Sequence, residues 1–369
     1  MASASDLYIG LMSGTSMDGI DAALVSFAGS QPELLATHTT HYGTTLRQRI
    51  IAASQNKANP DELGELDHQI GQLFAQAACA ALELSGLTAS QVTAIGSHGQ
   101  TVRHQPRSAH PFSMQLGDPN IIVERTGIPT VADFRRRDLA AHGEGAPLAP
   151  AFHQAFFAHP DEDRCILNIG GIANISWLPG NSGQTTLGFD TGPGNALLDA
   201  WCQDQTGKPF DQNGRWASEG RIHQDLLNDL LSDAYFSLPP PKSTGKEKFN
   251  LQWLKTFLNR HPDATGADIQ RTLLELTVTT ITHQLPESGS LKIFACGGGV
   301  YNDELMNQLR RACAPCPVSI TDELGIHAQW VEAIAFAWLA QQTMEKRPGN
   351  LPDVTGASGG RILGGVYWP

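Results

Sequence analysis

The sequence predicts an α/β protein of two domains, and three observations carry the prediction. A chain of 369 residues is longer than one ordinary hydrophobic core organises. Short apolar runs ending in glycine alternate with stretches whose apolar residues recur every three or four positions, the pattern of strands alternating with helices. An apolar run, a small-residue turn and a second apolar run occur at residues 7–27 and return at 165–177, a weak internal repeat that two domains of similar plan explain.

Composition narrows the class. Hydrophobic residues make up 41% and charged residues 17%, and the 37 glycines and 22 prolines are spread along the chain, as in a globular protein. A formal net charge of −12 argues against non-specific nucleic-acid binding, which needs basic surface, and means that an anionic substrate requires local positive charge. The chain reaches an apolar strand at Leu7 without a basic leader, and no run approaches membrane-spanning length, so a cytoplasmic protein without a membrane partner is expected. Six cysteines do not make a disulfide framework. Cys313 and Cys316 form a close pair, but no second pair stands at zinc spacing, and reduced thiols are expected.

Taken in order, residues 7–27 read as two paired strands around the loop Ser13, Gly14, Thr15, Ser16, Met17, Asp18, Gly19. Such a loop exposes backbone N–H groups, its hydroxyls add donors, and Asp18 is suited to Mg²⁺ through water, so it fits the phosphate end of a nucleotide. A decorated hairpin has the same sequence. Residues 60–84 place Leu63, Leu66, Ile70, Leu73, Phe74, Ala77 and Leu84 on one helical face, which predicts a core helix. Residues 92–96 read as a buried strand that ends before His98, where open α/β sheets gather ligands. His98 either touches substrate or is satisfied by its neighbours. Asp118 and Pro119 predict a helix start, and residues 129–134 a strand leading to Arg135, Arg136 and Arg137. The arginines are either a solvated charge run or place one guanidinium on a substrate carboxylate. The glycine-rich residues 143–147 look like an interdomain crossing.

In the second half, residues 165–177 read as strand, Gly170-Gly171 turn and strand, and residues 239–250 as a proline-led basic loop without a chemical reading. Residues 187–195 run from an apolar strand through Asp190 into a glycine turn and a helix start. The N–H groups of such a helix start suit a phosphate, and a carboxylate beside it is placed to take a proton from a hydroxyl or water. Asp190 as a mere turn cap is the plainer reading of these residues alone. Residues 269–284 predict a helix, and 291–295 a strand running into Gly297, Gly298 and Gly299, where a flat ring can lie on bare backbone. A further helix is expected at 323–340, with Glu332 facing a cleft, and a final strand in 356–369 returning to the first domain. No Walker-type loop or histidine-arginine-aspartate catalytic loop is present, and phosphoryl transfer by positioning, cation stabilisation and one base fits what remains.

The loop 13–21, the segments 97–101, 132–138, 168–174, 188–195 and 242–245, and the glycines 297–299 together resemble the anhydro-N-acetylmuramic acid kinases, from about residue 7 to the C-terminus. The resemblance implies the two-domain actin-like ATPase fold, ribonuclease H-like, shared with Hsp70 and sugar kinases, with an interdomain ATP cleft. Residues 1–134 plus 346–369 are then the first domain and 135–345 the second. It implies ATP and Mg²⁺ as cofactors, with Gly14 to Asp21 (through Ile20) as the first phosphate loop, Gly170 and Gly171 in the second, and Gly297, Gly298 and Gly299 beside the adenosine. It implies phosphorylation of 1,6-anhydro-N-acetylmuramic acid with hydrolytic opening of the anhydro ring, in cell-wall recycling, by a homodimer. Asp190 is then the base that activates water. Arg137 is the candidate for the lactyl carboxylate or ring oxygens, with His98 and Glu332 as lesser candidates for orienting the sugar. A non-catalytic ATP-binding sensor on this fold would not need Asp190. An aspartic protease would need a second Asp-Thr-Gly or Asp-Ser-Gly, which the chain lacks.

Overall fold

The computed structural model describes residues 6–180 and 183–369. They divide into two compact units, Met1–Phe156 with Trp330–Pro369, and Phe157–Gln329.

In the first unit β1 (Leu7–Ser13), β2 (Gly19–Ser26) and β3 (Glu33–His41) form an antiparallel meander. β4 (Ala94–Gln105) then pairs parallel to β1, β5 (Phe112–Leu116) folds back on β4, and β6 (Thr130–Ala132) lies parallel on the other side of β4. The strand order is thus 3-2-1-4-6, and the C-terminal strand Gly365–Tyr367 pairs antiparallel with β6 as the return to the first domain required.

The second unit repeats the plan. β7 (Arg164–Ile169), β8 (Ile172–Leu178) and β9 (Leu187–Pro193) are an antiparallel meander, and β10 (Lys292–Cys296) and β11 (Val318–Ile320) add parallel to β7, giving the order 9-8-7-10-11. Numbered within the unit this is 3-2-1-4-5, the order of the first unit once β5, which folds back on β4 off the main path, is set aside, and it is the ribonuclease H-like arrangement. The weak repeat in sequence is a repeat in topology.

The helices follow from local chemistry. Asn59 accepts from the Glu62 N–H while the Glu62 carboxylate takes the Asn59 N–H, Pro60 opens the helix Pro60–Ser85, and Gly86 at φ 70° closes it. Leu66, Ile70, Phe74, Ala77 and Ala81 face the core. Leu84, expected on that face, is 66% exposed, because it lies in the last turn beyond the sheet's cover. His98 lies inside β4 rather than beyond its end, since the strand continues to pair with β5. The three arginines sit on a short helix, Phe134–Leu139, entered through Asp133 at φ 63°.

The helix expected at 323–340 runs instead over Val331–Met344 and is buried on nearly every side. It packs on β1 and β4 at Gly10 and Gly96, where any Cβ would collide with the carbonyl oxygens of Ala333 and Phe336. That contact draws residues 330–345 into the first unit, whereas the sequence reading had grouped them with the second. Residues 135–156 are drawn in likewise. Asp138 is fully buried and accepts from the Gly145 N–H, Asn350 Nδ2 and Thr355 Oγ1. Residues 143–147 therefore lie within the first unit, and the division falls at Phe156–Phe157.

Candidate active site

In the first unit the loop between β1 and β2 is held from beneath. Ser13 is buried, its hydroxyl hydrogen-bonds the Gly19 carbonyl (2.7 Å) and Gln100 Oε1 (2.8 Å), and the Tyr42 hydroxyl donates to it (3.1 Å). Arg47 donates through Nε to the Met17 carbonyl and through Nη2 to that of Ser16, pinning the tip where Met17 takes φ 52°. Thr15 and Asp18 are exposed, Gly14 is half-buried, and the Ser16 hydroxyl donates to Asp18 Oδ1. Ile20 is core, and Asp21, on β2, accepts from Thr39 Oγ1 at 2.6 Å with its carboxyl pushed up by burial. The loop thus presents Thr15 and Asp18 from a rigid base. Tyr42, Arg47 and Gln100, which make the base, were not singled out from sequence, because nothing local ties them to it.

His98 is buried with both ring nitrogens engaged. Arg135 donates to Nε2 from Nη2 (2.8 Å) and Nε (3.3 Å), so Nε2 is the acceptor and Nδ1 carries the proton donated to the Ser13 carbonyl (3.1 Å). Burial, aided by the Arg135 charge, lowers its pKa to about 3, and the ring is neutral. His98 thus braces the loop at Ser13, the neighbour-satisfied of the two readings the sequence left open. The arginine run separates by position: Arg135 also donates to the Gly145 carbonyl, Arg136 pairs with Asp133 at 2.8 Å, and Arg137 is exposed, with no hydrogen bond or ion pair to another described residue. Glu332 is half-buried in the first turn of the helix Val331–Met344, in this unit rather than the second.

In the second unit two glycine turns converge. The N–H groups of Asn195 and Ala196 donate to the carbonyls of Gly170 (2.8 Å) and Gly171 (3.0 Å), and Asn195 Nδ2 donates to the Ile169 carbonyl. The start of the helix Ala196–Thr206 is therefore closed against the Gly170-Gly171 turn, and those two N–H groups, expected to face a phosphate, are already used. Gly297 takes φ 81°, and a side chain there or at Gly299 would strike Asn168 and Ile169, whereas a Cβ on Gly298 would meet nothing within 4 Å. The second glycine segment thus lies against the β7 end that leads into Gly170, with Gly298 open. Asn168 is buried, and its Oδ1 has no hydrogen-bond partner among the described residues.

Asp190 stands on β9 opposite Asn174, next to a bulge: Asn174 pairs with Asp190 and Ala173 with Gly192, so Thr191 is the extra residue. Bulges of this kind re-aim side chains beside active sites. The Asp190 carboxylate accepts the Thr244 N–H at 2.9 Å through Oδ2, its own N–H donates to the Lys242 carbonyl, and the Tyr235 hydroxyl donates to its carbonyl at 2.7 Å. The loop 239–250, unread in sequence, is the support of Asp190. Cys313 and Cys316 are free thiols, both pushed up in pKa by burial, Cys313 to about 11.

A doubled sheet of this plan, with glycine-bearing turns at β1–β2 and β7–β8 and a carboxylate on the third strand of the second unit, is the arrangement of the actin-like ATPases and sugar kinases. The sequence profile described as anhydro-N-acetylmuramic acid kinase matches residues 6–369, and the chain belongs to that family. It is 50% identical to the anhydro-N-acetylmuramic acid kinase of Coxiella burnetii (strain Dugway 5J108-111) over 366 residues, covering 98% of this chain and 97% of that one. It is 52% identical to that of Shewanella halifaxensis (strain HAW-EB4) over 364 residues, covering 98% of each. A ROK family glucokinase from Streptomyces griseus shows a likeness too weak to bear on function, with a TM-score of 0.41 and 14% identity over 91% of this chain and 99% of that one. Among the described residues no helix is long and apolar enough to cross a membrane.

Proposed function

We propose that this chain uses ATP to phosphorylate the 6-oxygen of 1,6-anhydro-N-acetylmuramic acid while water opens the anhydro bridge, giving N-acetylmuramic acid 6-phosphate and ADP in bacterial cell-wall recycling. Membership of the kinase family over nearly the whole chain supports the reaction. For the residues, the observation that carries the reading is Asp190, a half-buried carboxylate aimed by a bulge and held by a backbone N–H. Asp190 takes a proton from water as the water oxygen bonds to the anomeric carbon and the bond from that carbon to the 6-oxygen breaks. The 6-oxygen then bonds to the γ-phosphorus, and the bond from that phosphorus to the bridging oxygen of ADP breaks.

The exposed tip of the 14–21 loop holds the ATP phosphates, Gly170 and Gly171 serve the second phosphate turn, and the open face of Gly298 takes the flat adenosine. Among the described residues no three of His, Cys, Asp and Glu gather into a protein-built metal site. Mg²⁺, which keeps its waters and phosphate ligands, needs only one or two carboxylates, and Asp18 at the loop tip fits that need. Bound there, the ion would neutralise phosphate charge. Arg137, exposed and without an ion pair to another described residue, receives the lactyl carboxylate, and Glu332 is a lesser candidate for the sugar. The protein acts as a homodimer in the cytoplasm, and light scattering of the purified protein tests its mass.

The test of the reaction is a single turnover in oxygen-18 water with MgATP and 1,6-anhydro-N-acetylmuramic acid, read by mass spectrometry. The expected product is a 6-phosphosugar with heavy oxygen at the anomeric position. Failure of the wild-type protein to phosphorylate this sugar overturns the substrate assignment.

A further inference from the structure

Residues 233–249 carry a buried cation that the reaction above does not use. Lys242 is 4% exposed. Its Nζ donates to the carbonyls of Tyr235 (3.2 Å) and Phe236 (3.4 Å) and lies 4.8 Å from the centroid of the Tyr235 ring. Burial lowers its pKa. Taking an ammonium out of water is costly, and an apolar side chain of similar length would serve packing at least as well. What the ammonium contributes is geometry.

The hydrogen bonds form a closed circuit around Asp190. The Tyr235 hydroxyl donates to the Asp190 carbonyl, Lys242 Nζ donates to the Tyr235 carbonyl, the Asp190 N–H donates to the Lys242 carbonyl, and the Thr244 N–H donates to Asp190 Oδ2. Remove the ammonium and the inner end of the loop loses its side-chain tie to the turn that bears Tyr235, which loosens the hold of the Thr244 N–H on the carboxylate. The outer end of the loop is secured separately, by Lys248 paired with Asp233 at 2.6 Å and by Phe249 stacked on Phe236 at 5.3 Å. Loss of Lys242 is therefore felt at Asp190 more than in the anchoring of the loop.

We propose that the 242–244 segment is a clamp that sets the orientation of the Asp190 carboxylate, with Lys242 and Thr244 as its positioning residues. This rests on the reading of Asp190 as the base. Thr244 has a second part in it. Its Oγ1 is buried and has no hydrogen-bond partner among the described residues, although its own N–H lies on the carboxylate. A buried hydroxyl is costly without a partner, and a polar oxygen bound beside Asp190, from the attacking water or a sugar hydroxyl, supplies one.

The experiment is a set of pH–rate profiles with MgATP and the anhydro sugar for wild type, Lys242→Met, Tyr235→Phe, Thr244→Val, Thr244→Ser and Asp190→Asn. Lys242→Met is expected to lower kcat on the order of 10²-fold, as misplacement of a reacting group does, with the KM for ATP little changed. Its acid limb moves to higher pH, because a carboxylate that loses a hydrogen bond to its charged form holds its proton more tightly. Tyr235→Phe removes one bond of the circuit and moves the limb the same way by less, which keeps the proposal testable if Lys242→Met does not fold. Thr244→Val lowers kcat/KM for the sugar about tenfold, the cost of one hydrogen bond of ~1.4 kcal/mol, and Thr244→Ser restores it. Lys242→Met and Tyr235→Phe that melt earlier but keep the wild-type kcat and pH profile overturn the clamp. An Asp190→Asn variant as active as wild type overturns the reading of Asp190 itself.

Discussion

The two units share one sheet plan and use its strand ends differently. In the first, the polar groups beneath the β1–β2 turn are turned on one another: Ser13, Tyr42, His98, Gln100 and Arg135 form a largely buried network whose product is a stiff loop. In the second, the β7–β8 turn is held mainly by backbone hydrogen bonds, with Asn195 Nδ2 on the Ile169 carbonyl, and the Asp190 carboxylate accepts the Thr244 N–H, with Asn168 Oδ1 and Thr244 Oγ1 buried without a partner among the described residues. With Asp190 as the proposed base, the repeated scaffold braces a loop in one half and carries the reacting carboxylate in the other. Within the first unit the arginines divide likewise, since Arg135 is spent on structure while Arg137, two positions on, is exposed.

The sharpest way to break this contrast is to remove the two titratable groups in turn. Asp190→Asn is expected to lower kcat by about 10²–10⁴-fold, the usual worth of a general base, while ATP binding measured by calorimetry persists. His98→Gln should instead lower the melting temperature and leave the acid limb of the rate profile in place. An acid limb that followed His98 rather than Asp190 would reverse the assignment of roles.

The arginines give the next largest effect. Arg137→Ala should raise the KM for the sugar roughly 10- to 100-fold, the worth of a charge-assisted hydrogen bond of about 1.5–3 kcal/mol, with kcat less affected. Arg136→Ala, which removes an exposed ion pair with Asp133, should stay within about twofold in the same assay. Equal losses for both would mean that the run acts as diffuse charge.

Glycines separate packing from binding. Gly96→Val places side-chain atoms against the Phe336 carbonyl and should cost ~3 kcal/mol or more in chemical denaturation, since backbone on both sides has to move. Gly298→Ala has space around it and should leave stability within about 0.5 kcal/mol while raising the KM for ATP.

The smallest effect is on acid stability. The folded first unit binds a proton on His98 less readily than the unfolded chain, with a pKa of about 3 against 6.5, and burial acts likewise on His104, at about 4, and His153, at about 3. The unfolded state therefore takes up more protons below pH 6.5. Stability from these groups is complete above that pH and declines as pH falls toward 3, by at most roughly 1.4 kcal/mol per pH unit for each histidine. A first unit whose denaturation midpoint rose between pH 7 and pH 4.5 would contradict their buried, neutral state.

Much of this was legible in the residues. The paired strands at 7–27 and 165–177, the helix from Pro60 and the cap at Asp118 announce themselves through periodicity and turn chemistry, because these are contacts between near neighbours. The glycine turns, Asp190 and the Arg137 run were visible as motifs for the same reason. The sequence by itself determined which residue types stand at the strand ends, and with them the family.

The tertiary structure alone decided what those residues touch. Glu332 belongs with β1 and β4 because Gly10 and Gly96 admit a helix backbone from the far end of the chain. His98 is a brace because Arg135, 37 positions away, occupies its Nε2. The loop at Lys242 matters because its Thr244 N–H reaches a carboxylate 54 positions earlier. Periodicity carries no information over such separations: burial and hydrogen bonding there are set by how the sheets close, not by the order of neighbours along the chain.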